Sequence, residues 1–84
     1  MNPIPVKLYG LSTCTHCMSV KILLDTCGVP YEFNEIDKAS KDRAAALMEE
    51  VKRLSSKCAF PTTVIGDRVI VGYREKEIKE ALGL

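Results

Sequence analysis

The stretch Val6-Lys7-Leu8-Tyr9, followed by a turn and then Cys14-Thr15-His16-Cys17, decides the fold of this chain. The apolar run indicates a short buried strand, residues 10–13 form the turn, and helically spaced apolar residues begin directly behind the cysteines. A CxxC pair where a strand passes into a helix is typical of redox chemistry in a small βαβ protein. The thiolate is the reactive form of cysteine, and a helix N-terminus stabilises it.

Length and composition restrict the class of protein. The chain has 84 residues, 46% of them apolar, and a formal net charge of +1. We predict a single domain over residues 1–84 with one modest core. The charge balance gives no indication of nucleic acid or a membrane as partner, and no apolar run has the length of a membrane span. The first residues lack the layout of a secretory signal, so we expect a cytoplasmic protein. We also expect the protein to be a monomer.

Residue spacing predicts the remaining elements. These are a helix from Thr15 to about Thr26, a strand over 31–36, a helix capped by Asp37 or Ser40 and ending near Ser55 or Ser56, strands over 62–65 and 68–71, and a helix over 75–82. The connection Gly66-Asp67 predicts a tight hairpin. The first two strands are joined by a helix and should run parallel, and the last two form an antiparallel hairpin. We therefore predict an α/β protein with a mixed four-stranded sheet and helices on its faces.

The spacing of the two cysteines assigns them different roles. Cys14 lies at or just before the first helical turn, where its sulfur faces backbone N–H groups that lack partners. Cys17 is one turn further along the same face, more buried and within bonding reach of Cys14. We therefore predict that Cys14 attacks a substrate disulfide and that Cys17 resolves the mixed disulfide.

His16, the only histidine of the chain, lies between the two cysteines. A helix end contributes up to about 1–2 kcal/mol to a thiolate, whereas making an ordinary thiol mostly ionised at pH 7 requires about 3.4 kcal/mol. His16, as imidazolium or as an N–H donor, is predicted to stabilise the Cys14 thiolate in addition to the helix. This would stabilise the reduced form and make the protein more oxidising. The alternative is an exposed residue without an energetic role.

The other two cysteines are predicted to be packing residues. Cys27 closes the apolar face of the first helix, and Cys58 either packs or approaches Pro61 as a third thiol. A secreted disulfide scaffold is the other use of four cysteines, but the long periodic helices disfavour it. A zinc site would need a second paired cluster. A [2Fe–2S] cluster held through Cys14 between two chains is an alternative function.

Two further segments are candidates for binding. Pro61 precedes the third predicted strand, either as a simple strand start or as a cis proline that exposes backbone to an extended substrate. Arg74, Glu75 and Lys76 begin the last helix, either as a solvated terminus or as a site for an anion such as a glutathione carboxylate.

These residues resemble the glutaredoxin branch of the thioredoxin superfamily over essentially the whole chain. The matching segments are Leu8-Tyr9 into the CxxC pair, Gly28-Val29-Pro30-Tyr31 into Asp37, Phe60-Pro61-Thr62, and Gly66 through Tyr73. The resemblance implies a thioredoxin-like fold with sheet order 2-1-3-4 and three helices. It also implies a cis Pro61 beside the cysteines and dithiol exchange without a bound metal or organic cofactor.

The resemblance also implies which residues contact the substrate. These are Thr13, Thr15, Phe60, Pro61, Gly72, Tyr73 and Arg74. Glutaredoxins commonly carry a glutathione-binding lysine where this chain has Leu11. Gly72-Tyr73-Arg74 is instead similar to the Gly-Phe-Arg stretch of NrdH-type redoxins, which take electrons from thioredoxin reductase and pass them to ribonucleotide reductase.

The predicted function is that of a thiol–disulfide oxidoreductase. It would reduce protein or small-molecule disulfides with electrons from glutathione or from a donor of the thioredoxin-reductase type. A redox-inactive adaptor that keeps only the fold is a further alternative.

Overall fold

The structure is a computed structural model and describes residues 4–56 and 59–84. Its elements within these residues are β1 (Val6–Gly10), α1 (Thr15–Thr26), β2 (Glu32–Glu35), a 3-10 helix (Ile36–Lys38), α2 (Lys41–Leu54), β3 (Thr62–Ile65), β4 (Arg68–Val71) and α3 (Glu75–Leu82). None of the described helices combines the length and the apolar character that a membrane span requires. The predicted bounds of α1, β3, β4 and α3 are confirmed.

The four strands form one mixed sheet with the order β2-β1-β3-β4. β1 and β2 are parallel, and the other two pairings are antiparallel. Gly66 and Asp67 connect β3 to β4, and Ile65 pairs with Arg68 directly beside this two-residue turn. Gly66 has a φ of +62°, a conformation that glycine adopts without steric cost. The predicted sheet order and tight hairpin are confirmed.

Side chains of β1 alternate between two cores, one on each face of the sheet. Leu8 belongs to the first core, and its neighbour Tyr9 belongs to the second. The first core, which α1 and α3 cover, contains Val6, Leu8, Val20, Leu23, Leu24, Ile65, Ile70 and Ile78. The second core, which α2 covers, contains Tyr9, Ile36, Leu47 and Val51. α1 and α2 therefore each direct an apolar face towards the sheet.

The start of α2 resolves a choice that the sequence left open. Ser40 is the N-cap, and its hydroxyl accepts the N–H of Arg43 at 3.2 Å. Asp37 lies in the 3-10 helix and is not the cap. At the other end, Ser55 has extended backbone angles, so α2 ends at Leu54, slightly before the predicted terminus.

The predicted second strand is too long at both ends. Tyr31 precedes β2, and its hydroxyl donates a hydrogen bond to Asp25 of α1 at 2.9 Å. Ile36 follows β2 as the first residue of the 3-10 helix, where it is buried in the second core. The predicted strand includes Tyr31 and Ile36 because both are apolar. Both residues nevertheless lie outside the segment that is hydrogen-bonded to β1.

Thr62 and Thr63 are both fully buried in β3 but differ in their hydrogen bonds. The Thr62 hydroxyl donates to the carbonyl of Ala59 at 2.6 Å, whereas the Thr63 hydroxyl has no partner among the described residues. We expect Thr63→Val to raise the free energy of unfolding by about 1 kcal/mol, because a buried hydroxyl without a partner is replaced by a methyl group. Urea unfolding measures the difference. Thr62→Val is the matched control and should lower stability; equal effects of the two substitutions would contradict the prediction.

Candidate active site

Cys14 is the N-cap residue of α1, as the sequence predicts. Its backbone is extended, with φ of −85° and ψ of 116°, and its carbonyl accepts the N–H of Met18 at 3.1 Å. Its Sγ accepts the backbone N–H of Cys17 at 3.3 Å, so the sulfur occupies the position of a capping oxygen. The side chain is half-buried, and the first turn of α1 carries no acidic residue. No acidic side chain of that turn therefore opposes a thiolate at this helix end.

Cys17 lies one turn further along α1 and is fully buried. Burial, together with a hydrogen bond and a charge interaction with Cys14, raises the pKa of the Cys17 thiol to about 12, and a backbone hydrogen bond with Leu11 acts in the opposite direction. Cys17 is consequently a protonated thiol at neutral pH. The two cysteines lie close together in very different environments, which is the asymmetry expected for dithiol chemistry.

Gly10, which the sequence predicts only as part of a turn, belongs to this site. It is the last residue of β1 and shares its sheet face with Leu8, which directs it towards α1. A Cβ added at Gly10 would lie 2.8 Å from Cys17 Sγ and 3.1 Å from Cys17 Cβ. The missing side chain therefore makes the space that Cys17 occupies. The sequence signal was a glycine at the inward-facing end of the strand before the CxxC pair.

The peptide bond between Phe60 and Pro61 is cis, as the family resemblance implies. Thr62, the next residue, pairs with Tyr9 of β1, so continuing the register places Pro61 opposite Gly10. On the other side, the N–H of Gly72 donates to the Pro61 carbonyl at 2.8 Å. The sheet thus brings Gly10, Pro61 and Gly72 into one row at the end from which the chain passes to Cys14.

The other predicted substrate contacts around this end differ in exposure. Thr13, Thr15 and His16 are exposed on either side of Cys14. Phe60 is half-buried and packs against the second core, so it anchors the loop before β3 as well as lining the surface.

Tyr73 and Arg74 follow β4 and precede α3. Tyr73 is 40% exposed and, with Ile22, lines a groove of about 320 Å³ between α1 and α3. The Arg74 guanidinium donates from Nε to the carbonyl of Val71 at 3.3 Å, and its Nη1 lies 3.9 Å from Oε1 of Glu77. The predicted binding arginine is therefore held against its own segment of the chain.

The two remaining cysteines do not join the pair. Cys27 is the C-cap residue of α1, and its half-buried free thiol packs against the first core, as predicted. Cys58 lies outside the described residues, so its predicted role stays a prediction. Within residues 4–56 and 59–84, no three His, Cys, Asp or Glu side chains are grouped so that they could hold a metal ion.

Asp37 connects the segment after β2 to the loop before Cys14. Its Oδ1 accepts the backbone N–H of Ser12 at 2.9 Å, and its Oδ2 accepts the hydroxyl of the same serine. These two hydrogen bonds hold the pKa of the Asp37 carboxyl below its usual range. The sequence indicates Asp37 as a candidate helix cap but not this contact, because the partner residue lies 25 positions away.

Comparisons with known proteins agree with this geometry. The family model for glutaredoxin matches residues 6–70. A search of curated proteins finds no significant match. Among solved structures, a glutaredoxin from Methanosarcina mazei Go1 is 39% identical with a TM-score of 0.89 and covers 100% of this chain and 85% of its own. Methanoredoxin from Methanosarcina acetivorans is 38% identical with a TM-score of 0.91, covering 95% and 85%.

A third solved structure, a glutaredoxin from Archaeoglobus fulgidus, is 35% identical with a TM-score of 0.88 and covers 94% of this chain and 86% of its own. The mixed four-stranded sheet with three helices is thus the thioredoxin-like fold of these neighbours. The chain therefore belongs to the glutaredoxin family and is a glutaredoxin-like thiol oxidoreductase.

Proposed function

We propose that the protein reduces disulfides by dithiol exchange, with Cys14 as the attacking thiolate and Cys17 as the resolving thiol. One observation carries this proposal, namely the contrast between the two neighbouring sulfurs. Cys14 Sγ is half-buried at a helix N-cap and accepts a backbone N–H, whereas Cys17 is fully buried with a pKa near 12. The accessible sulfur is the one whose anion the helix favours.

The reaction conserves atoms and electrons in two exchange steps. The Cys14 thiolate attacks one sulfur of the substrate disulfide, whose S–S bond breaks, and the departing sulfur takes up a proton as a thiol. Cys17 then loses its proton and attacks Cys14 Sγ, which releases the second substrate thiol. The substrate gains two electrons, the protein keeps a Cys14–Cys17 disulfide, and an external reductant returns the two electrons.

The surface beside Cys14 suits a protein substrate. Met18, Ile22 and Tyr73 are large apolar side chains with exposures of 55%, 61% and 40%. Met18 and Ile22 are one helical turn apart on α1, and Tyr73 lies across the groove from Ile22. Single exposed apolar side chains are ordinary, but an apolar surface that begins one turn from the reactive sulfur favours a macromolecular partner. We propose that protein disulfides are the preferred substrates.

The start of α3 offers little to glutathione. A helix N-terminus attracts anions, but the first turn of α3 carries Glu75 and Glu77. Arg74 is engaged with Val71 and with Glu77, and Lys79 lies 3.5 Å from Glu75. These contacts leave the local positive charge partly neutralised, so a glutathione carboxylate would be held weakly. We propose a reductase protein of the thioredoxin-reductase type as the main donor, with glutathione as a poorer one.

The proposed function is tested by following NADPH oxidation with insulin as the disulfide substrate. One reaction contains thioredoxin reductase, and the other contains glutathione with glutathione reductase. We expect oxidation in both, faster with thioredoxin reductase, and none when Cys14→Ser replaces the native protein. Absence of activity with both donors would contradict the proposal. Visible absorbance in freshly purified protein would instead support the alternative, a [2Fe–2S] carrier.

A further inference from the structure

We infer that Asp37 is a positioning residue of the dithiol site, whose carboxylate fixes the loop over residues 11–13 so that this loop holds Cys14 in place. The inference rests on the proposed dithiol exchange and adds to it a residue outside the CxxC segment. Its basis is a chain of hydrogen bonds that leads from Asp37 through Ser12 and Leu11 to Cys14.

The sheet itself brings Asp37 to the loop. β1 and β2 are parallel, and Gly10 pairs with Glu35 at their carboxyl ends. Ser12 and Asp37 each lie two residues beyond this pair. Because parallel strands place their carboxyl ends at the same edge, the two residues meet there, and the Asp37 carboxylate receives both the N–H and the hydroxyl of Ser12. An ionised carboxylate that accepts two hydrogen bonds is a stronger tether than a neutral acceptor.

The tether acts on Cys14 through one peptide plane. The N–H of Ser12 and the carbonyl of Leu11 belong to the same planar unit, so fixing the first orients the second. The Leu11 carbonyl accepts the N–H of Cys14 at 3.3 Å. The N–H of Leu11 belongs to the preceding peptide unit and makes the backbone hydrogen bond that favours the ionised form of Cys17. Release of Ser12 would therefore loosen the contact that holds Cys14.

Charge and positioning make opposite predictions for this carboxylate. A negative charge disfavours a thiolate close to it, so if Asp37 acted as a charge alone, its removal would speed the attack. As a tether, it keeps Cys14 in a reactive orientation, so removal would slow the attack. The direction of the change therefore separates the two effects.

The test measures the second-order rate of Cys14 with a small aromatic disulfide by stopped flow. We expect Asp37→Ala to slow the reaction about tenfold, the size of one charge-assisted hydrogen bond, and Ser12→Ala to slow it less because the backbone N–H stays bound. Asp37→Asn keeps an acceptor oxygen and should recover part of the rate. The double variant should be no slower than Asp37→Ala, since both act through one contact. Asp42→Ala, an exposed acid in the first turn of α2, is the matched control and should react normally.

Several outcomes would overturn the inference. Asp37→Ala reacting as fast as the native protein or faster would show that the tether does not position Cys14. Additive losses in the double variant would show that Asp37 does not act through Ser12. If Asp37→Ala acted only through a general loss of stability, Asp37→Asn would not recover part of the rate. If Asp37→Ala fails to fold, the rate of Ser12→Ala is compared with that of the native protein instead. If the native protein itself does not react with disulfides, the proposed function fails first; if it reacts and Asp37→Ala is unchanged, only this inference fails.

Discussion

A Cys17→Ser variant is expected to accumulate a mixed disulfide with its substrate, whereas a Cys14→Ser variant should form none. Cys14 is the accessible sulfur at the helix N-cap, and Cys17 is fully buried beneath it. Without Cys17, the first exchange still occurs, but no thiol is placed to release the substrate. Mass spectrometry of the unreduced reaction mixture measures the adduct and its site. With thioredoxin reductase as the donor, turnover should be lost in both variants, and Cys27→Ser should keep it because that thiol packs against the first core.

The pH dependence of substrate release adds a second test of these roles. Burial, the largest cause of the raised pKa of Cys17, does not depend on Cys14, so we expect this pKa to stay raised in the mixed disulfide. Below that pKa, each pH unit raises the thiolate fraction about tenfold. Release in the native protein should therefore accelerate by about that factor per unit between roughly pH 6 and pH 8. A mixed disulfide formed by Cys14→Ser through Cys17 would contradict the assigned roles.

Gly10→Ala is expected to impair both folding and substrate release. The added Cβ would lie 2.8 Å from Cys17 Sγ. Gly10 belongs to the end of β1 and Cys17 to the first turn of α1, so neither residue can move away easily. Overpacking of this kind costs typically about 1–3 kcal/mol, and any displacement of Cys17 moves the resolving sulfur away from Cys14. We expect a lower urea midpoint of unfolding. Turnover should be at least tenfold slower, because misplacement of a reacting group commonly slows a reaction by about this factor or more.

A double substitution separates this clash from other effects of alanine. Cys17→Ala removes the sulfur that lies nearest the new Cβ, so Gly10→Ala should cost less stability in that background than in the native one. Equal costs in the two backgrounds would show that Gly10 does not make room for the Cys17 sulfur.

Local features of the sequence predicted most of the architecture. The bounds of α1 followed from helically spaced apolar residues between Cys14 and Gly28, and the β3–β4 hairpin followed from Gly66-Asp67. The N-cap position of Cys14 was predictable for the same reason, because the CxxC pair lies directly before that pattern. The cis bond before Pro61 could be expected from the family resemblance but not from local spacing.

The features that the sequence did not predict depend on strand register. Gly10 contacts Cys17 because it lies on the face of β1 that α1 covers. Asp37 reaches Ser12 because Gly10 pairs with Glu35 in a parallel arrangement. Both facts require knowing which residues lie opposite one another across the sheet. A single sequence carries propensity and periodicity, and neither determines the partner of a side chain 25 residues away.

The central claim is that Cys14, not Cys17, carries the reactive thiolate. Alkylation of the fully reduced native protein with a limiting amount of iodoacetamide at pH 7, followed by peptide mass spectrometry, tests it most directly. The burial of Cys17 and its pKa near 12 predict that label appears on Cys14 while Cys17 stays unmodified. Label that appears on Cys17 as fast as on Cys14 would contradict the account.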